Sequence, residues 1–425
     1  MTSSSASILP LGDGPSFGFG DRIGTATPGH VEAMRQAGQG VLPVFAQQSI
    51  REMQRTGRTP AGVMRDALAG LTSAGWTAGT GADADHLKTT ADIDATAETG
   101  FRLFTLDPSA HVLDAAETAD RDALRELVAQ AGDEAHAWLA DRVGTSVALD
   151  NGESLLFDET GCHRAVAKLG RAVEAALALG RHAVGAAARF GGEAELELSV
   201  DETDTATSPI EHWFAAERFR AEGLPLRCIA PRFPGAFEKG IDHLGDRAAL
   251  LASIERHASI ARALGGHKLS LHSGSDKLSV YAPLARATEG RFHVKTAGTS
   301  YLEALRVAAR RDPALFAEIV RFARARFETD RATYHLSATL ADAPTPEDCP
   351  NPEVLEAAYL GNWSSVPNGH GFTGLGRQIV HCTFGSVLGD GDLGPRLHAL
   401  LDSEQALHTE LLADHFSRHL RALRP

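Results

Sequence analysis

Two short apolar runs in the second half of the chain each end in a cluster of polar side chains. They are Lys268-Leu-Ser-Leu-His-Ser-Gly-Ser-Asp-Lys277 and Arg291-Phe-His-Val-Lys-Thr-Ala-Gly298. A strand with both faces buried is apolar along its body, whereas a surface strand alternates polar and apolar residues. A polar tip on a buried strand either caps a loop or opens into a pocket. Two such tips in succession favour a pocket at one end of a (β/α)8 barrel, because such barrels place their catalytic residues at one end of the strands.

Six more runs of this kind bring the candidate barrel strands to eight. They cover residues 16–21, 41–48, 75–88, 101–108, 194–202 and 226–232. Helical patterns lie between most of them, including residues 59–71, which Pro60 opens, and residues 247–264, which two glycines close. Strand–helix alternation predicts a parallel sheet, and eight repeats predict its closure into a TIM-type (β/α)8 barrel in the α/β class.

The barrel pattern divides the chain into regions. A flexible N-terminal tail is expected over residues 1–15 and the catalytic barrel over 16–300. After the fourth strand, residues 110–192 are too long for one crossover and form a helical insertion, with helices at 121–142 and 162–190 around an Asp150-Asn-Gly152 turn. Residues 301–425 form a mostly helical C-terminal extension packed on the barrel, with a surface loop at 341–352.

Bulk composition narrows the classes of function. The chain has 425 residues, 43% of them hydrophobic, and a net charge of −14, which disfavours binding to nucleic acid or to an anionic membrane. The four cysteines form no Cys-x-x-Cys pair, and the sequence shows neither a signal peptide nor an apolar run of the ~20 residues that a membrane span needs. A cytoplasmic protein is therefore expected, and a homo-oligomer is compatible with this sequence.

The segment Asp83-Ala-Asp-His-Leu-Lys88 concentrates acidic and basic groups at a predicted strand end. Carboxylates and neutral imidazoles are the usual ligands of divalent metals such as zinc. Asp85 and His86 could therefore divide two tasks, one as a base and one as a metal ligand. The alternative is that Asp85 only caps the helix that follows.

A second acidic group, Asp201-Glu202-Thr-Asp204, ends the alternating strand at 194–202. Acidic turns are common on protein surfaces, but a barrel strand delivers its last residues into the mouth of the barrel. Glu202 is the candidate for a second acid/base group, with Asp201 as its rival.

His272 directly follows the apolar residues of the Lys268 run. The Ser273-Gly-Ser275 segment after it exposes backbone N–H groups that can bind an anion, and Lys277 and Lys295 add positive charge. A catalytic metal needs three protein ligands and one open position. His86 and His272 would supply two of them.

Two histidines compete for the third ligand position. His243 follows the sixth predicted strand, and His335 lies in Tyr334-His-Leu-Ser337 of the extension. Other chemistries lose support because no Gly-x-Gly-x-x-Gly follows a strand and no P-loop or His-Glu-x-x-His motif occurs.

These runs together resemble the tagaturonate/fructuronate epimerase family. The resemblance rests on the 268–277 and 292–299 runs, on Asp83-Ala-Asp-His-Leu-Lys-Thr89 and on Phe237-Glu-Lys-Gly240. The Gly18-Phe-Gly-Asp-Arg-Ile-Gly24 and Gln378-Ile-Val-His-Cys-Thr-Phe-Gly385 segments agree with it. The resemblance implies a metal-dependent barrel enzyme that interconverts D-tagaturonate and D-fructuronate, with tagatose and fructose as further candidate substrates.

The resemblance also implies roles for individual residues. Asp85 and Glu202 would be the acid/base pair, and His86 and His272 would bind a divalent cation, which could be Zn, Mn, Ni, Co or Fe. A substrate-binding set would surround the sugar and hold its carboxylate: Lys88, Ser273, Lys277 and Lys295.

Two further hypotheses stay open on the sequence alone. One is another metal-dependent aldolase or isomerase of a sugar or sugar acid on the same barrel. The other is a carbohydrate-binding barrel without catalysis. Asp85, His86, Glu202 and His272 weigh against this second hypothesis. In the epimerase hypothesis, C4 is inverted by retro-aldol cleavage and re-addition.

Overall fold

Eight parallel strands close into a barrel in the computed structural model, which describes residues 6–424, the side chain of Thr333 excepted. The described residues contain two further strands, and all are numbered in chain order: β1 Ser16–Gly20, β2 Leu42–Ser49, β3 Gly81–Leu87, β4 Leu103–Leu106, β5 Ser146–Ala148, β6 Ser154–Leu156, β7 Glu195–Val200, β8 Leu226–Pro231, β9 Lys268–Leu271 and β10 Phe292–Thr296. The order around the barrel is β1-β10-β9-β8-β7-β4-β3-β2, and β5 and β6 form a separate antiparallel hairpin. The predicted barrel and all eight of its strands are confirmed.

Helices cover the outside of the barrel and build the C-terminal region. They are α1 Thr27–Ala37, α2 Ile50–Thr56, α3 Pro60–Ser73, α4 Thr90–Glu98, α5 Arg121–Val128, α6 Asp133–Arg142, α7 Glu159–Arg189, α8 Pro209–Ala221, α9 Arg247–Ala263, α10 Leu278–Ala287, α11 Thr299–Arg311, α12 Pro313–Asp330, α13 Pro352–Leu360, α14 Gly376–Cys382, α15 Phe384–Gly389, α16 Leu393–Ser403 and α17 Gln405–Ala422. None of the helices described over residues 6–424 is long and apolar enough to cross a membrane.

Local signals explain where the predicted helices begin and end. The Thr59 hydroxyl accepts a hydrogen bond from Gly62 N at the start of α3, and Pro60 occupies the first turn. Helix α9 ends just before Gly265 and Gly266, whose φ angles of 103° and 84° are accessible to glycine. These two predicted helices are confirmed to within two residues.

The region between β4 and β7 differs in detail from the prediction. The helix expected at 121–142 is two helices, α5 and α6, and the Asp150-Asn-Gly152 turn does join the β5–β6 hairpin. Helix α7 packs on the barrel itself, because a Cβ added at Gly180 would lie 2.9 Å from Leu196 Cδ1 of β7. The crossover helix of the barrel therefore lies inside the region predicted as an insertion.

Part of the N-terminal segment is packed against the barrel. Ile8 forms a parallel bridge with Thr80, and Leu11 is buried with its N–H donating to Glu195 Oε2 at 2.5 Å. A flexible tail over 1–15 is therefore wrong for residues 6–12, because Leu11 fills the amino-terminal end of the barrel. Residues 1–5 lie outside the described residues.

The C-terminal helices form a second hydrophobic core beside the barrel. This core centres on α11 and α12, with Leu305, Ile319 and Phe384 fully buried in it. Helix α11 follows β10 directly and begins at Thr299, so the boundary predicted at 300/301 falls inside a helix. The helix expected at 397–423 is two helices, α16 and α17.

Barrel closure depends on a close approach between β1 and the end of β10. A Cβ added at Gly20 would lie 2.4 Å from Thr296 O and 2.5 Å from Ala297 Cα. We expect Gly20→Ala to lower the free energy of unfolding by about 1–3 kcal/mol, since backbone must move to admit the methyl group. Chemical denaturation measures this change.

Gly185 in α7 provides the matched control. It is exposed, and an added Cβ meets nothing within 4 Å. Gly185→Ala should leave stability unchanged or raise it by up to ~1 kcal/mol, because alanine is the better helix former. Equal stabilities for the two alanine variants would contradict the close approach at Gly20.

Candidate active site

A cavity of about 300 Å³ opens at the carboxyl ends of the barrel strands. This is the end at which enzymes of this architecture place their catalytic groups. Most of the residues predicted from the sequence line it. These are Asp85, His86, Glu202, His272, Ser273, Lys295 and His335.

Asp85, His86 and His272 form a compact group of ligand atoms in this cavity. One donor atom of each lies within 4.8 Å of the others, and the two imidazole rings have their centroids 5.0 Å apart. His86 has a φ of 52°, a left-handed conformation that a residue with a Cβ adopts rarely and that occurs at functional sites. The end of β3 is therefore shaped to turn this imidazole towards His272.

Carboxylates outside this group orient both imidazoles. His86 Nδ1 donates to Asp107 Oδ2 at 3.0 Å, which leaves Nε2 facing Asp85 Oδ1 at 3.8 Å. His272 bonds to Glu197 Oε1 through Nε2 at 2.5 Å and to Asp201 Oδ1 through Nδ1 at 3.1 Å. Metal-binding histidines typically have one such acceptor, on the nitrogen that does not bind the metal, as His86 does. His272 would exchange one of its two carboxylate contacts for a cation.

The same carboxylates hold both imidazoles protonated in the metal-free state. Burial acts to lower the pKa of His86, but Asp85 and the hydrogen bond to Asp107 raise this pKa to about 9. Burial also acts to lower the pKa of His272, but Asp201 and Glu197 raise it to about 10. A cation entering the cavity would thus take the place of bound protons.

Lys295 joins the acidic side chains in the barrel interior. Its Nζ lies 2.9 Å from Asp83 Oδ2, 2.8 Å from Asp85 Oδ1 and 2.7 Å from Glu197 Oε1. Burial acts to lower the pKa of Lys295, but these three carboxylates hold it well above its usual value. Lys295 is therefore an ammonium group and is not available as an amine nucleophile.

Asp85 remains ionised because of this contact. Burial acts to raise the pKa of Asp85, but Lys295 and the two histidines lower it to about 2. Lys295 occupies only one of its oxygens, Oδ1. The other carboxylate oxygen is left for a molecule in the cavity, which is the arrangement that a base requires.

Glu202 lies at the rim of the cavity, with a carboxylate oxygen within 4.8 Å of ligand atoms of His86 and Asp107. Its carboxylate pairs with Arg51 at 3.3 Å, and both side chains are partly exposed. Asp201 is held more firmly, since it accepts hydrogen bonds from Ser199 Oγ at 2.6 Å and from His272. Of the two rival carboxylates, Glu202 is the one free to move between solvent and a bound substrate.

Three of the predicted residues are not brought into the cavity lining. His243 donates from Nε2 to Pro234 O at 3.0 Å and packs on Phe237. The Lys277 amine donates to backbone carbonyls, including Glu238 O at 2.7 Å. Lys88 is exposed and pairs with Asp107 at 3.3 Å.

The third predicted metal ligand is thus not resolved in favour of either histidine. His335 does line the cavity. Among the described residues, however, the donor that lies with His86 and His272 is the carboxylate of Asp85. Neither His243 nor His335 joins this group.

Three cationic residues of the cavity lining were not predicted from the sequence. They are Arg51 in α2, Arg232 just after β8 and Lys239 in the loop that follows. The Phe237-Glu-Lys-Gly240 motif contains Lys239 and could have indicated it. Arg232 ends the predicted strand at 226–232, which could have indicated it, whereas Arg51 lies in α2, where no strand end points to the cavity.

The donor set of this cavity fits a divalent cation. Two imidazoles and a carboxylate are ligands that such metals accept, with bonds of about 2.0–2.2 Å for zinc. Within the described residues, buried acidic side chains around the group outnumber its one fixed cation, Lys295. A metal ion would offset this excess of negative charge.

A second set of candidate ligands lies away from the cavity, at Asp276, His415 and His419. His419 Nδ1 donates to His415 O, and its Nε2 accepts a hydrogen bond from Asp276 N at 3.0 Å. No lone pair of His419 is left for a metal. Arg377, which donates to Asp276 Oδ2 at 2.8 Å, also supplies this carboxylate with a cation.

Comparison with known proteins identifies the family of this barrel. A family model described as UxaE, tagaturonate epimerase, matches residues 9–423. A tagaturonate/fructuronate epimerase from Thermotoga maritima is 40% identical over 411 residues, which cover 96% of this chain and 80% of that protein. Relatives of known structure give the same result.

The native crystal structure of a fructuronate-tagaturonate epimerase from Cohnella laeviribosi matches with a TM-score of 0.91 at 31% identity, over 99% of this chain and 83% of that one. Its complex with two glycerol molecules matches with a TM-score of 0.91 at 32% identity, over the same shares. The resemblance found in the sequence motifs is confirmed. The chain belongs to the tagaturonate epimerase family of isomerases.

Proposed function

We propose that this enzyme interconverts D-tagaturonate and D-fructuronate by retro-aldol cleavage and re-addition at a divalent metal site. The observation that supports this most strongly is the convergence of Asp85, His86 and His272 in one cavity at the carboxyl ends of the strands. The relatives from Thermotoga and Cohnella carry this activity in their names. The roles of the individual side chains are inferred from the stereochemistry of the reaction.

The stereochemistry of the two substrates limits the mechanism. They differ at C4, which is β to the C2 ketone, so exchange of a proton next to the ketone cannot interconvert them. Removal of the C4 hydroxyl proton lets the C3–C4 bond break, with its electron pair moving towards the ketone. The aldehyde formed at C4 presents its other face, and the bond forms again with inverted configuration.

His86 and His272 would hold the cation, which could be Zn, Mn, Ni, Co or Fe, with Asp85 as the carboxylate that has an oxygen within 4.8 Å of both imidazoles. When bound, a divalent cation supplies Lewis acidity that stabilises negative charge on the ketone side of the sugar. The carboxylates of Asp107, Glu197 and Asp201 hold the two imidazoles in position, as their hydrogen bonds in the cavity indicate.

Asp85 and Glu202 act as the acid/base pair in this proposal. Asp85 is ionised and keeps one oxygen free, so it can accept the C4 hydroxyl proton from one epimer. Glu202 also lines the cavity and serves the epimer whose hydroxyl points towards it. The two residues exchange roles when the reaction runs backwards.

Labelling at C4 tests the bond that breaks. We expect D-fructuronate carrying deuterium at C4 to give tagaturonate that keeps all of this deuterium, because retro-aldol chemistry never breaks the C4–H bond. NMR of the product, formed by metal-replete enzyme, measures the retention. Loss of the label to water would indicate proton transfer at C4, and release of a trappable aldehyde would indicate an aldolase.

Substitutions separate the metal ligands from the acid/base groups. His272→Ala should lose both bound metal and activity, measured by metal analysis and by epimerisation rate. Glu202→Gln and Asp85→Asn should keep the metal while kcat falls by about 10²–10⁴, the usual contribution of a general acid or base. If Asp85→Asn lost the metal instead, Asp85 would be the third ligand.

Asp204→Asn is the matched control for Glu202→Gln, because Asp204 is an exposed carboxylate two residues away that does not line the cavity. Its activity should equal that of the unmodified enzyme. A kcat for Glu202→Gln as high as that of Asp204→Asn would remove Glu202 from the mechanism.

The hydrogen bond that His86 donates to Asp107 should contribute to metal affinity. We expect Asp107→Ala to weaken binding of the divalent cation by about 10–100-fold, because His86 loses the acceptor that orients its ring. Competition with a fluorescent chelator measures the change. An unchanged affinity would show that His86 does not bind the cation or does not depend on Asp107.

A further inference from the structure

Two cations line the cavity without a carboxylate partner. Arg51 pairs with Glu202, and Lys295 with three carboxylates. By contrast, no Asp or Glu oxygen between residues 6 and 424 lies within 4.0 Å of the side-chain nitrogens of Lys239 or Arg232. A half-buried cation without an anion is costly to maintain, and it is the natural partner for an anionic group of a ligand.

Lys239 is the better placed of these two cations. Its Nζ donates to the Ser273 hydroxyl at 2.7 Å, and Ser273 follows the proposed metal ligand His272. The Arg232 guanidinium lies near a backbone carbonyl, Asp201 O, at 3.5 Å. Lys239 therefore has one neutral neighbour and hydrogen-bonding capacity left for an anion.

The backbone at Ser273 supports this interpretation. Ser273 has a φ of 50°, a conformation that costs free energy for a residue with a Cβ and that occurs at ligand-binding positions. Gly274 after it approaches Val294 and Lys295 so closely that an added Cβ would lie 2.7 Å from Val294 Cγ1. The chain is thus held in the conformation that presents Ser273 Oγ to Lys239.

We propose that Lys239 and Ser273 form the subsite for the C6 carboxylate of the substrate and thereby select ketouronates over neutral ketoses. This inference rests on the proposed function. The Lys239 ammonium forms an ion pair with the carboxylate, and the Ser273 hydroxyl donates a second hydrogen bond to it. With the C6 end held beside His272, the C2–C4 part of the sugar lies between Asp85 and Glu202.

The lysines expected from the sequence are less suited to this task. Lys277 is fully buried and its amine is held by backbone carbonyls, Lys88 lies outside the lining, and Lys295 is already surrounded by carboxylates. Of the six lysines of the chain, Lys168 and Lys268 do not line the cavity either. Lys239 is therefore the one lining lysine whose charge is not already balanced.

Binding of a matched pair of small ligands tests the subsite directly. Glycerate reproduces the C4–C6 end of the substrate with its aldehyde reduced, and glycerol is the same fragment without the carboxylate. We measure the Kd of each by ligand-observed NMR for the metal-replete enzyme and for Lys239→Met, Lys239→Arg and Arg65→Met. Arg65 is the charge-removal control, since its side chain is 74% exposed on α3.

Lys239→Met should weaken glycerate binding by about 30-fold or more, the lower range for truncating one partner of a desolvated charge pair. Glycerol binding should change little. Lys239→Arg should restore most of the glycerate affinity, and Arg65→Met should match the unmodified enzyme. The kcat/KM for D-fructuronate should fall in Lys239→Met, while any turnover of D-fructose stays within a few-fold.

Three results would overturn the subsite. They are unchanged glycerate binding in Lys239→Met, an equal loss for glycerol and glycerate, and a loss of glycerate binding in an Arg232→Met variant that keeps Lys239. Failure of the proposed function is seen separately. If the enzyme did not epimerise fructuronate but bound glycerate through Lys239, the reaction would be wrong and the anion subsite would stand.

Discussion

The ammonium group of Lys295 is the interaction on which the interior of this barrel depends. It lies within hydrogen-bonding distance of Asp83, Asp85 and Glu197, which come from two different strands. Carboxylates of like charge resist burial together unless a cation lies between them. Lys295 stabilises this arrangement, and Glu197 in turn positions His272. The location of the candidate metal ligands therefore follows from one lysine at the end of β10.

Further hydrogen bonds position the side chains between the barrel axis and the mouth of the barrel. Asp107 orients His86, while Glu197 and Asp201 hold His272 from both ring nitrogens. The imidazoles are thus positioned by groups that do not themselves need the substrate. Glu202, at the rim, is partly exposed and can adjust to a bound sugar, and Lys239 keeps hydrogen-bonding capacity for it.

Most parts of this site that the sequence predicted lie on strands or directly after them, and His335 is the exception. His272 and Lys295 follow or end short apolar runs, and the register of a parallel barrel brings the ends of all its strands together. Lys239 and Arg51 lie in a loop and in a short helix, where no periodicity indicates which way a side chain points. His243 shows the same limit, since a histidine near a strand end packs on Phe237 instead of entering the cavity. Chain segments without a repeating pattern are placed by tertiary packing alone.

Contact between the two ends of the chain has a consequence for how this protein forms during synthesis. Helix α17 packs on α1 so closely that a Cβ added at Gly29 would lie 2.4 Å from Leu412 Cβ, and β1 pairs with β10. Segments that emerge first from the ribosome therefore wait for almost the whole polypeptide before they find their partners. Until then the faces of Phe17 and Phe19 that Phe416 contacts stay uncovered, and this interval is when a chaperone would be most useful.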